Sequence, residues 1–209
     1  MKGVNKFNLG LAVMLALWLA ANCQGSAQRS FAKQQVKENR ISANNSVLLL
    51  LDHQTGLFQL VKDYDVYSFK KNVLALAATA KLYGMPTILT TSLEQGPNGP
   101  LLPELRAMRP NTTFIPRPGE INAALAEGYE VYVVVDASGT FNEAVRDAAL
   151  GRAHQAGAVL INWFAVACDL QKDWRLPPRA GAVLAELLAG YLPHYGNLIS
   201  SHTAASGSA

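Results

Sequence analysis

The run Val47–Leu51 is five consecutive aliphatic residues, and it stops at an aspartate, Asp52. It is too short and too uniformly apolar for a surface helix, so it predicts a strand buried on both faces. The pattern then repeats along the chain. Phe69–Tyr83 places Val73, Leu76, Ala77, Ala80 and Leu82 at helical spacing, and Gly84 closes that helix. Pro86–Thr91 is a second strand. A short helix is predicted over Pro103–Met108, a short strand over Thr113–Ile115, and barely two helical turns over Asn122–Glu127. Val131–Val135 is a strand ending in another aspartate, Asp136. A helix over 142–157, a strand over 158–163 and a last helix over 181–195 complete the series. Aliphatic strands alternating with helices predict an α/β three-layer sandwich around a mainly parallel sheet.

In such sheets chemistry gathers beyond the C-terminal strand ends. Asp52, Thr91, Ser92, Asp136, Ser138 and Asn162 all fall there. Several classes fail on the residues present. An aspartate-nucleophile phosphatase needs a second aspartate two residues after the first, and that position is Gln54. Neither Ser92 nor Ser138 lies in a Gly-x-Ser-x-Gly frame. There is no phosphate loop and no dinucleotide fingerprint, so no cofactor is called. His53, His154, His194 and His202 are scattered without metal-ligand pairing, so no metal is called.

The first residues read as something other than this domain. Lys2 and Lys6 precede an apolar run, Leu9–Ala21, and Gly25-Ser26-Ala27 follows. This is the order of a secretory signal, residues 1–27, cleaved to leave Gln28 at the N-terminus, the alternative being an uncleaved anchor. The run is short for a spanning helix, and Ala20-Ala21-Asn22 before Cys23 is a poor lipobox. Residues 28–46 read as a polar tether, and 47–209 as the folded domain. The expected location is periplasmic or secreted, with no membrane attachment after cleavage. Cleavage removes two lysines, leaving 16 basic against 15 acidic residues, so the charge gives no reason to expect nucleic acid. Cys168 is then the sole cysteine and no internal disulfide is possible.

Five segments resemble one family in order. They are "LLLLDHQTGL", "PTILTTSLEQGPNGPLLPEL", "FIPRPGEINA", "VYVVVDASGTFNEAVRDAAL" and "NWFAVACDLQKDW". Together they resemble the isochorismatase-like cysteine hydrolases, in the YcaC-type branch. The resemblance runs from about Val47 almost to the C-terminus. It implies a hydrolase acting on a C–N or related bond of a small molecule, assembled as a homo-oligomer. An aspartate at the end of the first strand accepts the proton of a cysteine, and a basic residue steadies the charges. Asp52 matches that aspartate and Arg117 matches the basic residue. A free thiol, with a pKa of ~8.5, needs such partners before it attacks a carbonyl carbon. Without the resemblance, Asp52 reads equally as a helix cap and Arg117 as a surface loop residue.

The chain departs from the family pattern at one place. A helix, a strand, the nucleophilic cysteine and the helix after it are expected between the Arg-Pro-Gly segment and "VYVVVDASG". Here Ala123 runs directly into Ala124, as though the block were deleted in frame. Cys168 lies after "NWFAVA", where the branch carries a cysteine that is not the nucleophile. A lone cysteine on an apolar stretch reads as a small buried hydrophobe. Three readings follow: an active hydrolase that recruits Cys168 or Ser138, an inactive member serving as a binding or oligomeric module, or an incomplete gene model. Loss of a central strand leaves two sheet edges to satisfy. The expectation is that Val131–Val135 slides beside Val47–Leu51 and brings Asp136 near Asp52.

Overall fold

The structure, a computed structural model, describes residues 40–118, 129–176 and 181–206. The segment expected to be a signal, most of the expected tether, the turns predicted over Asn122–Glu127 and the Ala123–Ala124 junction lie outside these residues. The described elements are β1 (Leu48–Leu51), α1 (Thr55–Phe58), α2 (Val66–Leu82), β2 (Thr87–Ser92), α3 (Pro103–Met108) and β3 (Thr113–Arg117). After them come β4 (Tyr132–Val134), α4 (Glu143–Gln155), β5 (Val159–Ile161), α5 (Trp163–Gln171), α6 (Gly181–Tyr191) and α7 (Pro193–Ser206). The short α1 and the whole of α5 went unread in the sequence. The predicted last helix is two, because Pro193 cannot continue α6 and opens α7 instead.

Local chemistry explains the helix ends. Asp65 accepts the Ser68 N–H at 2.8 Å and starts α2. Gly84, at φ +67°, ends it. The Met85 N–H then reaches back to the Ala80 carbonyl at 2.8 Å, closing a Schellman turn. Asn142 caps α4 and Asn162 caps α5, each through its side-chain oxygen. Asn162, a strand-end candidate in the sequence, is therefore occupied with helix capping.

All described ladders are parallel, but they form two sheets rather than one. β1, β2 and β3 pair in that order, with Leu51 opposite Thr90 and Ser92 opposite Arg117. β4 and β5 form a separate pair. The expected slide of β4 against β1 does not occur, and Asp136 has no contact with Asp52 among the described hydrogen bonds and ion pairs. The reason lies in how the end of β4 is tied. It curls into a 3₁₀ turn, Val135–Ala137, that packs on α2. The Tyr64 hydroxyl donates to the Val135 carbonyl at 3.1 Å, and Asn72 Nδ2 donates to the Asp136 carbonyl at 3.1 Å. The Asp136 carboxylate accepts the Trp163 N–H at 2.9 Å.

The core runs through Leu50, Val73, Leu89, Leu105, Leu184 and Leu188, all fully buried. It reaches back to Ile41, whose side chain is buried, so packing begins before Val47. β1 is not buried on both faces as its sequence suggests. Leu48 and Leu50 face the core, while Leu49 and Leu51 are 41% and 40% exposed.

Candidate active site

Asp52 directly follows β1, and its backbone is left-handed at φ +56°. Aspartate tolerates this conformation better than most side chains, though it costs energy. Its N–H still bonds the Thr90 carbonyl at 2.9 Å, extending the ladder by one residue. The Gln54 N–H then turns back to the Asp52 carbonyl at 2.8 Å. The chain thus bends sharply just where the carboxylate must project.

Gln54 holds that bend. It is fully buried, and its Oε1 accepts the Ser92 N–H at 2.8 Å while its Nε2 donates to the Ser92 carbonyl at 3.0 Å. The same Nε2 donates to the Gly99 carbonyl. One amide therefore pins the end of β2 and the loop after it to the start of α1. Gly56 permits this closeness, since a Cβ there would lie 2.0 Å from the Pro97 oxygen.

Arg117 is the last residue of β3 and lies on the far side of β2 from Asp52. Its Nε donates to Thr90 Oγ1 at 2.8 Å, and its Nη2 donates to Asp52 Oδ1. The guanidinium side chain is 11% exposed and the carboxylate 27%. Arg117 is thus a strand residue with a nearly buried head, not a surface loop residue. Asp52 is not a cap either: the N-cap position of α1 is Gln54, with no side-chain cap hydrogen bond, and the Asp52 carboxylate faces Arg117. The structure brings together the two residues matched from sequence.

Thr90 and Gln54 completed this arrangement without being singled out for it. The available signal for Thr90 was "TTS" at the C-terminal end of a strand, where the sheet gathers polar side chains. From sequence, His53 reads only as one of four scattered histidines without metal-ligand pairing. Its Nε2 lies 3.2 Å from the Ala137 carbonyl, which can only accept, so Nε2 carries the proton. Nδ1 is shielded from solvent and has no hydrogen-bond partner. Burial lowers the pKa of His53, partly offset by the Ala137 carbonyl and the Asp52 charge. At neutral pH the ring is therefore neutral.

The other candidates lie elsewhere. Cys168 is exposed on α5, contrary to its reading as a buried hydrophobe. Partial loss of hydration, then the charge of Asp169, raises its pKa. A nucleophilic thiol needs the opposite shift. Ser138 is exposed and its hydroxyl donates to the Val134 carbonyl at 2.9 Å. Burial raises the pKa of Asp136, partly offset by the Trp163 N–H. Among the described residues no group of three or more His, Cys, Asp or Glu is placed to hold a metal ion.

The polar turn at the end of β1, the Asp52–Arg117 pair and the parallel order β1-β2-β3 can be set against known proteins. The chain is 44% identical over 198 aligned positions to the "Probable hydrolase YcaC" of Escherichia coli (strain K12), across 78% of this chain and 94% of that protein. The chain belongs to the YcaC-type isochorismatase-like family. No family model matches it. The crystal structure of the Escherichia coli YcaC gene product, described as an octameric hydrolase of unknown specificity, superposes with a TM-score of 0.75 at 43% identity, covering 79% of this chain and 97% of that one. YcaC from Pseudomonas aeruginosa, solved with hexane-2,5-diol and covalent acrylamide, superposes with a TM-score of 0.76 at 42% identity, over 81% of this chain and all of that one. The MAR1 ribonuclease of Caenorhabditis elegans, 21% identical with a TM-score of 0.64, shares the fold alone, over 72% of this chain and 92% of that one.

The lengths of these YcaC matches differ in an informative way. Seventy-eight per cent of 209 residues is about 163, against 198 aligned positions, so about 35 positions stand opposite no residue of this chain. The family's hydrolase fold is present with fewer residues to build it.

Proposed function

We propose that this YcaC-type chain keeps the proton-accepting half of a cysteine-hydrolase site and lacks the nucleophile that half would serve. The observation that carries this reading is the Asp52–Arg117 pair, held in place by Thr90 and Gln54, with Cys168 exposed on α5 and its thiol pKa raised. The deficit of about 35 aligned positions supports the loss of a block containing that nucleophile, at the Ala123–Ala124 junction. The substrate class is a small amide or a related acyl compound. This class rests on the family resemblance: acrylamide, covalent in the Pseudomonas aeruginosa relative, alkylates nucleophiles at its vinyl carbon with its amide intact, so it points to a reactive nucleophile in that protein and not to amide cleavage. The octameric Escherichia coli relative supports a homo-oligomer. The leader-like order of Lys2, Lys6, the run Leu9–Ala21 and Gly25-Ser26-Ala27 supports export.

The mechanism follows from the charges. A carboxylate beside a guanidinium can take a thiol proton, and the guanidinium then offsets the charge of the thiolate. Without a thiol, the pair binds polar groups but forms no acyl-enzyme. Purified protein assayed on small amides and esters is therefore expected to show no turnover above background. Hydrolysis abolished by Cys168→Ala would overturn this reading. A second reading, an incomplete gene model, rests on the same length deficit. Sequencing across the codons for Ala123 and Ala124 separates the two.

A further inference from the structure

α4 is a 13-residue helix in which no residue is buried. A helix of that length is marginal on its own and ordinarily gains its stability by burying one face. Arg146, Leu150 and Ala153 are partly buried, and the other residues of α4 are exposed. These three recur at helical spacing and mark the side turned to the rest of the domain. Arg146 makes contact there. Its Nη1 donates to the Asp63 carbonyl at 3.4 Å, and its guanidinium lies 5.5 Å over the Tyr64 ring. The opposite side carries Ala144, Ala148 and Gly151, all exposed, with Val145 beside them at 41% exposed.

This outer face is complementary to a second copy of itself in an antiparallel pair. The first argument is charge. Glu143 and Asp147 lie in the N-terminal half of α4, and Arg152 lies in the C-terminal half. Asp147 bonds Arg146 at 3.2 Å yet stays 70% exposed, open to a second cation. A two-fold axis at Ala149 sets Arg152 of one copy ~1.5 Å along the helix from the level of Asp147 in the other, and ~4.5 Å from that of Glu143. A parallel pair in register would set Arg152 beside Arg152 instead. The antiparallel helix dipoles are favourable as well. The second argument is shape at the two ends. Phe141, two residues before α4, is 59% exposed. Two residues past the other end, Gly157 joins His154, Ala158, Val159 and Leu160 around an open hollow of about 450 Å³. The same axis brings Phe141 of each copy level with Gly157 of the other. Alanine and glycine between these ends let the helix axes approach to about 8 Å, the close end of the usual range.

We propose that α4 is a two-fold interface between copies of this chain, with Phe141 of each copy seated in the other's hollow beside Gly157. The inference rests on the homo-oligomer reading above and names the surface that makes it. Every contact in such a pair occurs twice, so the pair closes without leaving the same surface open for a further copy.

The test is sedimentation velocity on the full chain over a wide range of protein concentration, with helical content read by circular dichroism. The parent chain is expected to self-associate. Ala148→Glu sets a carboxylate against its own copy near the axis and should raise the dissociation constant ~100-fold or more. Phe141→Ser and Arg152→Glu should each raise it about tenfold. The exchange Asp147→Arg/Arg152→Glu restores opposed signs and should recover most of the Arg152→Glu loss. These residues are exposed, so helical content should not change. Should Ala148→Glu lose helical content, the charge exchange decides. Self-association that none of the variants weakens, as through the run Leu9–Ala21, overturns the α4 interface and leaves the homo-oligomer reading standing. A monomer at every concentration overturns both. An Arg152→Glu loss that the exchange does not recover overturns the antiparallel pairing.

Discussion

Arg117 reaches Asp52 across a strand that separates them. β2 lies between β1 and β3, and the guanidinium passes over Thr90, donating to its hydroxyl at 2.8 Å, before meeting the Asp52 carboxylate. Removing one member strands the other in a mostly buried place, which is costlier than removing both. Arg117→Ala is expected to lower unfolding stability by ~2–4 kcal/mol. The Asp52→Asn/Arg117→Met double variant should recover part of that loss. Urea denaturation with an unchanged slope measures this. Strictly additive losses would show that the pair is uncoupled.

Gln54 is satisfied on both sides of its amide, by Ser92 and by Gly99. Gln54→Leu keeps the approximate volume but leaves the Ser92 N–H and carbonyl without these partners. The expected cost is ~2–4 kcal/mol. Gln54→Glu should also destabilise, because a carboxylate cannot donate to the two carbonyls. A midpoint within error of the parent for either variant would contradict the clamp.

His53 gives the fold an acid sensitivity. Burial holds its pKa below the ordinary value of 6.5. Above that value both folded and unfolded states carry a neutral ring, and stability does not depend on this group. As pH falls below 6.5 the unfolded chain takes up a proton first, so stability declines until the folded pKa is passed. Stability measured from about pH 7.5 down to about pH 5 should fall, and His53→Gln should flatten that slope. An unchanged slope in the variant would assign the acid sensitivity to another group.

Cys168 is exposed, yet its thiol is held less acidic than usual. A thiol-disulfide reagent should label it in the folded protein, slowly near pH ~7 and faster as pH rises above ~9. Cys168→Ser should change stability by less than ~0.5 kcal/mol. Rapid labelling at neutral pH would mark it as an activated thiol and revive it as a nucleophile.

The elements legible in advance are those that depend on neighbours along the chain. Val47–Leu51 and "PTILTTS" read as strands because uninterrupted aliphatic runs of that length have few alternatives. Gly84 ended α2 as expected because a left-handed residue there costs glycine little. The pairing of Asp52 with Arg117 was legible only through family resemblance, since 65 residues of sequence separate them. The remaining features depend on contacts that form only in the folded chain. No local pattern shows that Gln54 locks the Asp52 turn through Ser92 and Gly99, or that His53 meets Ala137. Nor could a strand's own residues reveal that β1, among the described residues, pairs with β2 alone. Val131–Val135 has the composition to pair there, but its end is tied to Tyr64 and Asn72, and it pairs with β5 instead. Composition makes a strand, whereas its partner depends on where the rest of the chain holds its ends.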